Sequence, residues 1–208
     1  MDLKKMGGIV VAFVVLLWIV GRFTARPSPA APQSAAQQPA TDKWHVTEDR
    51  STMDDSKTEV LSLDSDDIIQ GPLGPYKPSL VIRCKEGKTD IYVVTGMAAS
   101  VEEDLDGGPI DTHTVRLRLD QGSAESYGWS ESTDHKALFA SDAVYGQDDQ
   151  VVAYSGGTTA LAKQLATAQT LAFQFTPFDA NPAIARFDLR GLGTHLSKIA
   201  DACKWDAN

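Results

Sequence analysis

Thr112-His113-Thr114-Val115-Arg116-Leu117-Arg118-Leu119 alternates apolar and polar residues in its second half. Successive side chains of an extended chain point to opposite sides. Val115, Leu117 and Leu119 therefore share one face, and Arg116 and Arg118 share the other. This is the signature of a strand with one buried and one wet face.

Similar short runs lie on both sides of it. Residues 60–63 read as a strand, and so do residues 79–84, which follow a turn-rich stretch over 71–78. Residues 90–95 come after Glu86-Gly87, a hairpin-like turn. An acidic, glycine-containing stretch over 102–109 breaks the chain, and strands resume at 127–131, 138–140, 171–175 and 184–189. A spacing of roughly ten residues with turn signals between predicts an antiparallel β-sandwich or a barrel-like domain.

Two segments read as helix. Residues 158–168 open on threonines that can cap and continue through Ala, Leu, Lys and Gln. A closing helix is expected over 193–204. Leu192, Leu196, Ile199 and Cys203 fall on one helical face, with Lys198 and Asp201 off it. The expected fold is thus mainly β, with a C-terminal helix packed on the sheet.

The amino-terminal part is different. Two lysines in residues 1–6 precede an apolar run that opens at Gly7 and closes at Phe23, with Arg22 as its only charge. A helix rising about 1.5 Å per residue just spans a bilayer core of about 30 Å if its ends snorkel. Sites for cleavage as a signal are poor: Thr24-Ala25 follows bulky Phe23, and Ser28-Pro29-Ala30 contains proline. The expectation is one uncleaved transmembrane helix, as in a single-pass protein of a bacterial inner membrane. Residues 1–6 would form a cytoplasmic tail, 7–23 the anchor, 24–43 a flexible Pro/Ala/Gln linker, and 44–208 a periplasmic domain.

The whole chain carries −9. Residues 1–43 carry +3, with five basic and two acidic side chains, so residues 44–208 carry −12. That disfavours nucleic acid as a partner and disfavours a domain lying flat on anionic lipid. It suits a basic partner, bound cations, or simply a solvated acidic surface.

The two cysteines are Cys84 and Cys203. Cys84 shares a strand face with Leu80 and Ile82, so both cysteines point inward. In an oxidising periplasm they would pair and staple the last helix to the sheet. The alternative is two small core residues that never meet.

Catalytic signatures are missing from the sequence. It contains no His-Glu-x-x-His, no Ser-x-x-Lys and no Gly-x-Ser-x-Gly. His45, His113, His135 and His195 are dispersed singly, which gives no metal site. Acidic runs over 64–67 and 102–106 lack the glycine and the later glutamate of a helix-loop-helix calcium site, leaving only loose, weak calcium binding. No cofactor is expected. Residues 129–136 form the densest polar-aromatic patch, and Trp129, Glu131, Asp134 and Lys136 are its candidate partner-binding residues.

Several landmarks occur in a telling order: Trp44-x-Val46, Asp54-Asp55-Ser56-Lys57-Thr58, Leu80-x-Ile82-Arg83-Cys84, and Arg116-x-Arg118-x-Asp120. Trp129-x-x-Ser132-Thr133-Asp134, Phe175-Thr176-Pro177-Phe178, Phe187-Asp188-Leu189-x-Gly191-Leu192 and Cys203-x-Trp205 follow. This order resembles the VasI family, also called TagO, of type VI secretion-associated envelope proteins, over residues 44–205. The resemblance implies an exported, non-enzymatic accessory protein with envelope or secretion-apparatus proteins, or peptidoglycan, as partners. The retained anchor and long tether depart from that pattern. A prophage- or mobile-element-encoded envelope protein is the alternative. A cell-wall enzyme would need Cys84 as nucleophile, or a carboxylate pair such as Asp134 and Asp188.

Overall fold

The computed structural model describes residues 42–71, 74–100, 112–141 and 157–207. The expected anchor, most of the expected linker and the acidic run over 102–106 lie outside the described residues. Among the described residues, no helix is long and apolar enough to cross a membrane.

The domain is mainly β, with a large antiparallel sheet and a C-terminal helix. Its strands are β1 (His45–Arg50), β2 (Lys57–Asp64), β3 (Ile69–Gly71), β4 (Gly74–Tyr76), β5 (Ser79–Lys85) and β6 (Lys88–Val94). They continue as β7 (Thr112–Leu119), β8 (Glu125–Glu131), β9 (Ala137–Ala140), β10 (Thr170–Phe175) and β11 (Ala183–Asp188). Helix α1 spans Gly157–Thr167 and helix α2 spans Leu192–Cys203. Nine strands form one sheet in the order β1-β2-β5-β6-β9-β8-β7-β10-β11, and β3 and β4 form a separate small hairpin. Neighbours throughout the large sheet are antiparallel.

Of the expected sandwich or barrel-like arrangements, the strands among the described residues make one large sheet rather than two large facing ones. The second layer comes from helices. α2 packs on β2 and β5, and α1 packs on β6 and on α2. Alternation along each strand cannot distinguish a facing sheet from a facing helix, because both bury the same side.

Nine strands at about 4.8 Å spacing would make a flat sheet about 40 Å wide. Yet Leu61 and Leu63 at one end, and Ala185 and Phe187 at the other, belong to one buried cluster with Leu161, Leu165, Leu196 and Ile199 of the helices. The sheet therefore curls around the helices. Its two ends are bridged by the segment after β2. Asp66 N–H donates to the Arg186 carbonyl at 2.7 Å, and Arg186 N–H donates to the Asp67 carboxylate at 2.8 Å. This segment satisfies both backbone groups of Arg186 on the outer edge of β11, an edge that would otherwise invite another strand. Trp44 is buried ahead of β1, and its indole N–H donates to the Leu189 carbonyl just past β11 at 3.3 Å.

The last helix is fastened at both ends. Cys203 is disulfide-bonded to Cys84, with Cα atoms 5.7 Å apart. Cys84 faces Thr89 across β5 and β6. The Thr89 hydroxyl accepts the indole N–H of Trp205 at 2.9 Å, and its carbonyl accepts the Thr158 hydroxyl of α1 at 2.9 Å. One cross-strand pair thus receives the end of α2 and the start of α1.

At its other end α2 begins after Gly191, whose φ of 97° is a left-handed value suited to glycine. A Cβ there would also stand 2.8 Å from an Asp42 carboxylate oxygen. That carboxylate accepts a hydrogen bond from His195 Nε2 at 2.5 Å and from Trp44 N–H at 3.0 Å. The histidine first, and then the amide, hold its pKa below the usual aspartate range. Asp42 and Lys43, counted with the linker in the sequence reading, therefore already contact the domain.

Candidate partner-binding face

The four residues singled out at 129–136 do not share one exposure. Trp129 is fully buried and tilts against Phe173, with ring centroids 5.1 Å apart. Its pairing with Ala140 and His113 in neighbouring strands puts it on the concave side. It is a core residue and presents nothing to a partner.

Glu131 ends β8, and its side chain is 14% exposed. Its carboxylate accepts the Ala99 N–H at 2.6 Å and the His135 Nδ1–H at 2.5 Å. His113 Nε2 stands 3.9 Å away. His113 Nδ1 lies 2.6 Å from the Ser100 carbonyl, an oxygen that can only accept, so this nitrogen carries the proton. Glu131 therefore ties the loop after β6 to the hairpin between β8 and β9.

That hairpin is the exposed part of the patch. The Ser132 hydroxyl donates to the Asp134 carboxylate at 2.6 Å and accepts the Ala137 N–H at 3.0 Å. His135 adopts a φ of 57°, which turns the chain back. The Lys136 carbonyl receives Thr95 N–H at 2.8 Å and Gly96 N–H at 3.0 Å. Thr133, Asp134, His135 and Lys136 are all exposed. The Ser132 hydroxyl, then the Lys136 amide and charge, lower the Asp134 pKa. The structure thus brings Asp134 and Lys136 together at a hairpin tip and adds His135 beside them. Sequence alone assigns His135 no such role, because only the turn at its positive φ returns its ring to Glu131.

The other candidate chemistry disperses. Asp134 belongs to this tip, whereas Asp188 is held by Arg190, whose Nε donates at 2.6 Å, and lies 3.6 Å from the Lys43 ammonium. No contact joins the two carboxylates. No free thiol remains. Carboxylates of the 64–67 run are engaged with the chain's own groups: Asp66 with Lys43 at 2.9 Å, Asp67 with Arg186 at 3.5 Å, and Asp64 with the Ser79 hydroxyl. Among the described residues, no group of three His, Cys, Asp or Glu is placed to hold a metal ion.

A shallow depression of about 310 Å³ lies between the β1–β2 turn and β5, lined by Asp49, Asp54, Ser56, Arg83 and Lys85 among others. Sequence reading did not single it out, because register alone brings the 49–58 and 83–86 segments together. Arg83 there is engaged in part: its Nη2 donates to Asp90 at 2.6 Å and its guanidinium lies 5.3 Å from the Tyr92 ring centroid, while its buried Nε has no partner among the described residues. No protein-family profile, curated protein or solved structure matches the chain.

Proposed function

We propose that this protein is a membrane-tethered envelope module that binds protein or cell-wall partners without turnover. Residues 7–23 anchor it in a bacterial inner membrane, and the curled, barrel-like domain stands in the periplasm. The observation that carries this reading is the Cys84–Cys203 bridge. Such bonds persist in oxidising compartments and are rare in a reducing cytosol. An apolar amino-terminal run and an acidic soluble domain agree with export and tethering. The resemblance of the ordered landmarks to the VasI family supports an accessory role beside a type VI secretion apparatus. The Ser132–Lys136 tip, with both charge signs and hydroxyls in reach, is a contact surface for an envelope partner.

Fractionation joined to a protease test on spheroplasts checks the topology. The full-length chain is expected in the inner-membrane fraction, with the domain degraded once protease reaches the periplasm. A shortened chain released to the soluble fraction would refute the anchor, and protection in intact spheroplasts would refute the orientation. Release of cell-wall fragments by the purified protein, lost on changing one carboxylate, would replace binding by catalysis.

A further inference from the structure

The convex side of the sheet carries a cluster of three arginines, bordered in the next cross-strand row by Asp120 and Asp188, whose carboxylates are held by the Thr170 amide and by Arg190. Two cross-strand rows define the cluster. In one, Ser126, Arg116, Gln174 and Ile184 follow one another across β8, β7, β10 and β11. In the next, Arg118, Ala172 and Arg186 do the same across β7, β10 and β11. Partners in register share a face, and this face is opposite the buried side that holds Leu117, Phe173 and Ala185. Arg116, Arg118 and Arg186 are exposed, and neither row contains a carboxylate.

The side chains of Arg116 and Arg118 have neither hydrogen bond nor ion pair among the described residues, their backbones being paired within the sheet. Arg186 reaches Asp67 at 3.5 Å and keeps a side-chain exposure of 69%. Arg83, on the same side of the sheet but four strands from β7, is by contrast bound to Asp90. Three guanidinium groups around the small Ala172 side chain are thus left with donors to spare, in a domain whose net charge is strongly negative.

We propose that this face of β7, β10 and β11 is a docking surface for an extended acidic segment of a partner protein. Arg116 and Arg118 are two residues apart on one strand, about 7 Å, which is also the same-side repeat of an extended peptide. Arg118 and Arg186 are two strands apart, about 10 Å, so one peptide lies between them over Ala172. Guanidinium pairs with carboxylates bidentately and is only weakly hydrated, which suits it to such a surface. Ile184, 47% exposed, adds an apolar contact at the end of the Arg116 row. A membrane or a nucleic acid would meet the field of the whole acidic domain, whereas a short segment engages only local charges. This inference rests on the reading of the domain as a binding module, and adds a face and a partner chemistry to it.

The test uses the full-length protein in detergent and a short fluorescein-labelled peptide alternating Glu and Thr. Its Gln-for-Glu counterpart and vesicles containing phosphatidylglycerol serve as comparisons. Saturable, salt-sensitive binding of the Glu peptide alone is expected. The triple variant Arg116→Gln, Arg118→Gln, Arg186→Gln should bind it about tenfold more weakly or worse, with an unchanged circular dichroism spectrum. The backbone bond from Arg186 to Asp67 survives that change, so a folded variant is expected; Arg116→Lys with Arg118→Lys is a milder check, losing bidentate pairing but keeping charge. Equal binding by the triple variant, equal binding of the Gln peptide, or binding of vesicles but not peptide overturns the proposal. Capture of envelope proteins by wild-type bait separates the two readings. Capture retained without peptide binding rejects this face and keeps the module, while loss of both rejects the module as well.

Discussion

Replacing Cys84 and Cys203 together by alanine lowers the unfolding free energy by about 4 kcal/mol, measured by urea denaturation with and without the bridge. The two cysteines are 119 residues apart, and closing so long a loop constrains the unfolded chain strongly in the chain-entropy model. Native contacts at the same corner hold the helix afterwards only in part. Trp205 retains its bond to Thr89, and Leu192, Leu196 and Ile199 stay buried at roughly 1.5–3 kcal/mol each. The first segment to exchange amide hydrogens in the variant should therefore be the end of α2, not the sheet. A loss below about 1 kcal/mol would mean that the bridge does not constrain the domain.

Trp129→Ala is expected to be the most damaging single change in the patch over residues 129–136, at about 3–5 kcal/mol, because it empties a site against Phe173. For a domain of this size that lowers the melting temperature by roughly 10 °C. Asp134→Asn and Lys136→Gln should each stay within about 0.5 kcal/mol, since both are exposed on the hairpin tip. Thermal melts of the three variants decide the matter. Similar losses for all three would contradict the division into a buried tryptophan and an exposed tip.

The strands were legible wherever one face is buried and the other wet. β7 shows this most plainly, and β2, β5, β6, β10 and β11 follow it. β1 was not legible, because an exposed edge strand such as His-Val-Thr-Glu-Asp-Arg carries charge rather than alternation. The short strands β3 and β4 hold a proline and two glycines and give no period. Strand order was also hidden. Nothing local in the chain says that β6 pairs with β9 rather than with β7, so a single curled sheet could not be separated from a sandwich. The pairing of the cysteines was readable as one of two outcomes, because each lay on an apolar face.

The candidate site was legible in part. Asp134 and Lys136 lie on a tip that hydroxyl and turn chemistry mark in the sequence. Glu131 looked like a surface probe, but its partners Ala99 and His113 sit 32 and 18 positions away and only the fold brings them near. Arg116 and Arg118 were visible as the wet face of β7. Their meeting with Arg186 depends on β10 lying between β7 and β11, which no local pattern announces.

The proposed export of the domain rests most directly on the state of the two cysteines in the cell. Cells quenched in acid and treated with a maleimide that adds mass to free thiols can be compared before and after reduction, with a non-reduced digest read by mass spectrometry. No labelling is expected until reductant is added, together with a linked peptide pair carrying Cys84 and Cys203. Labelling of both cysteines without reductant would contradict the bridge and, with it, the proposed periplasmic placement of the domain.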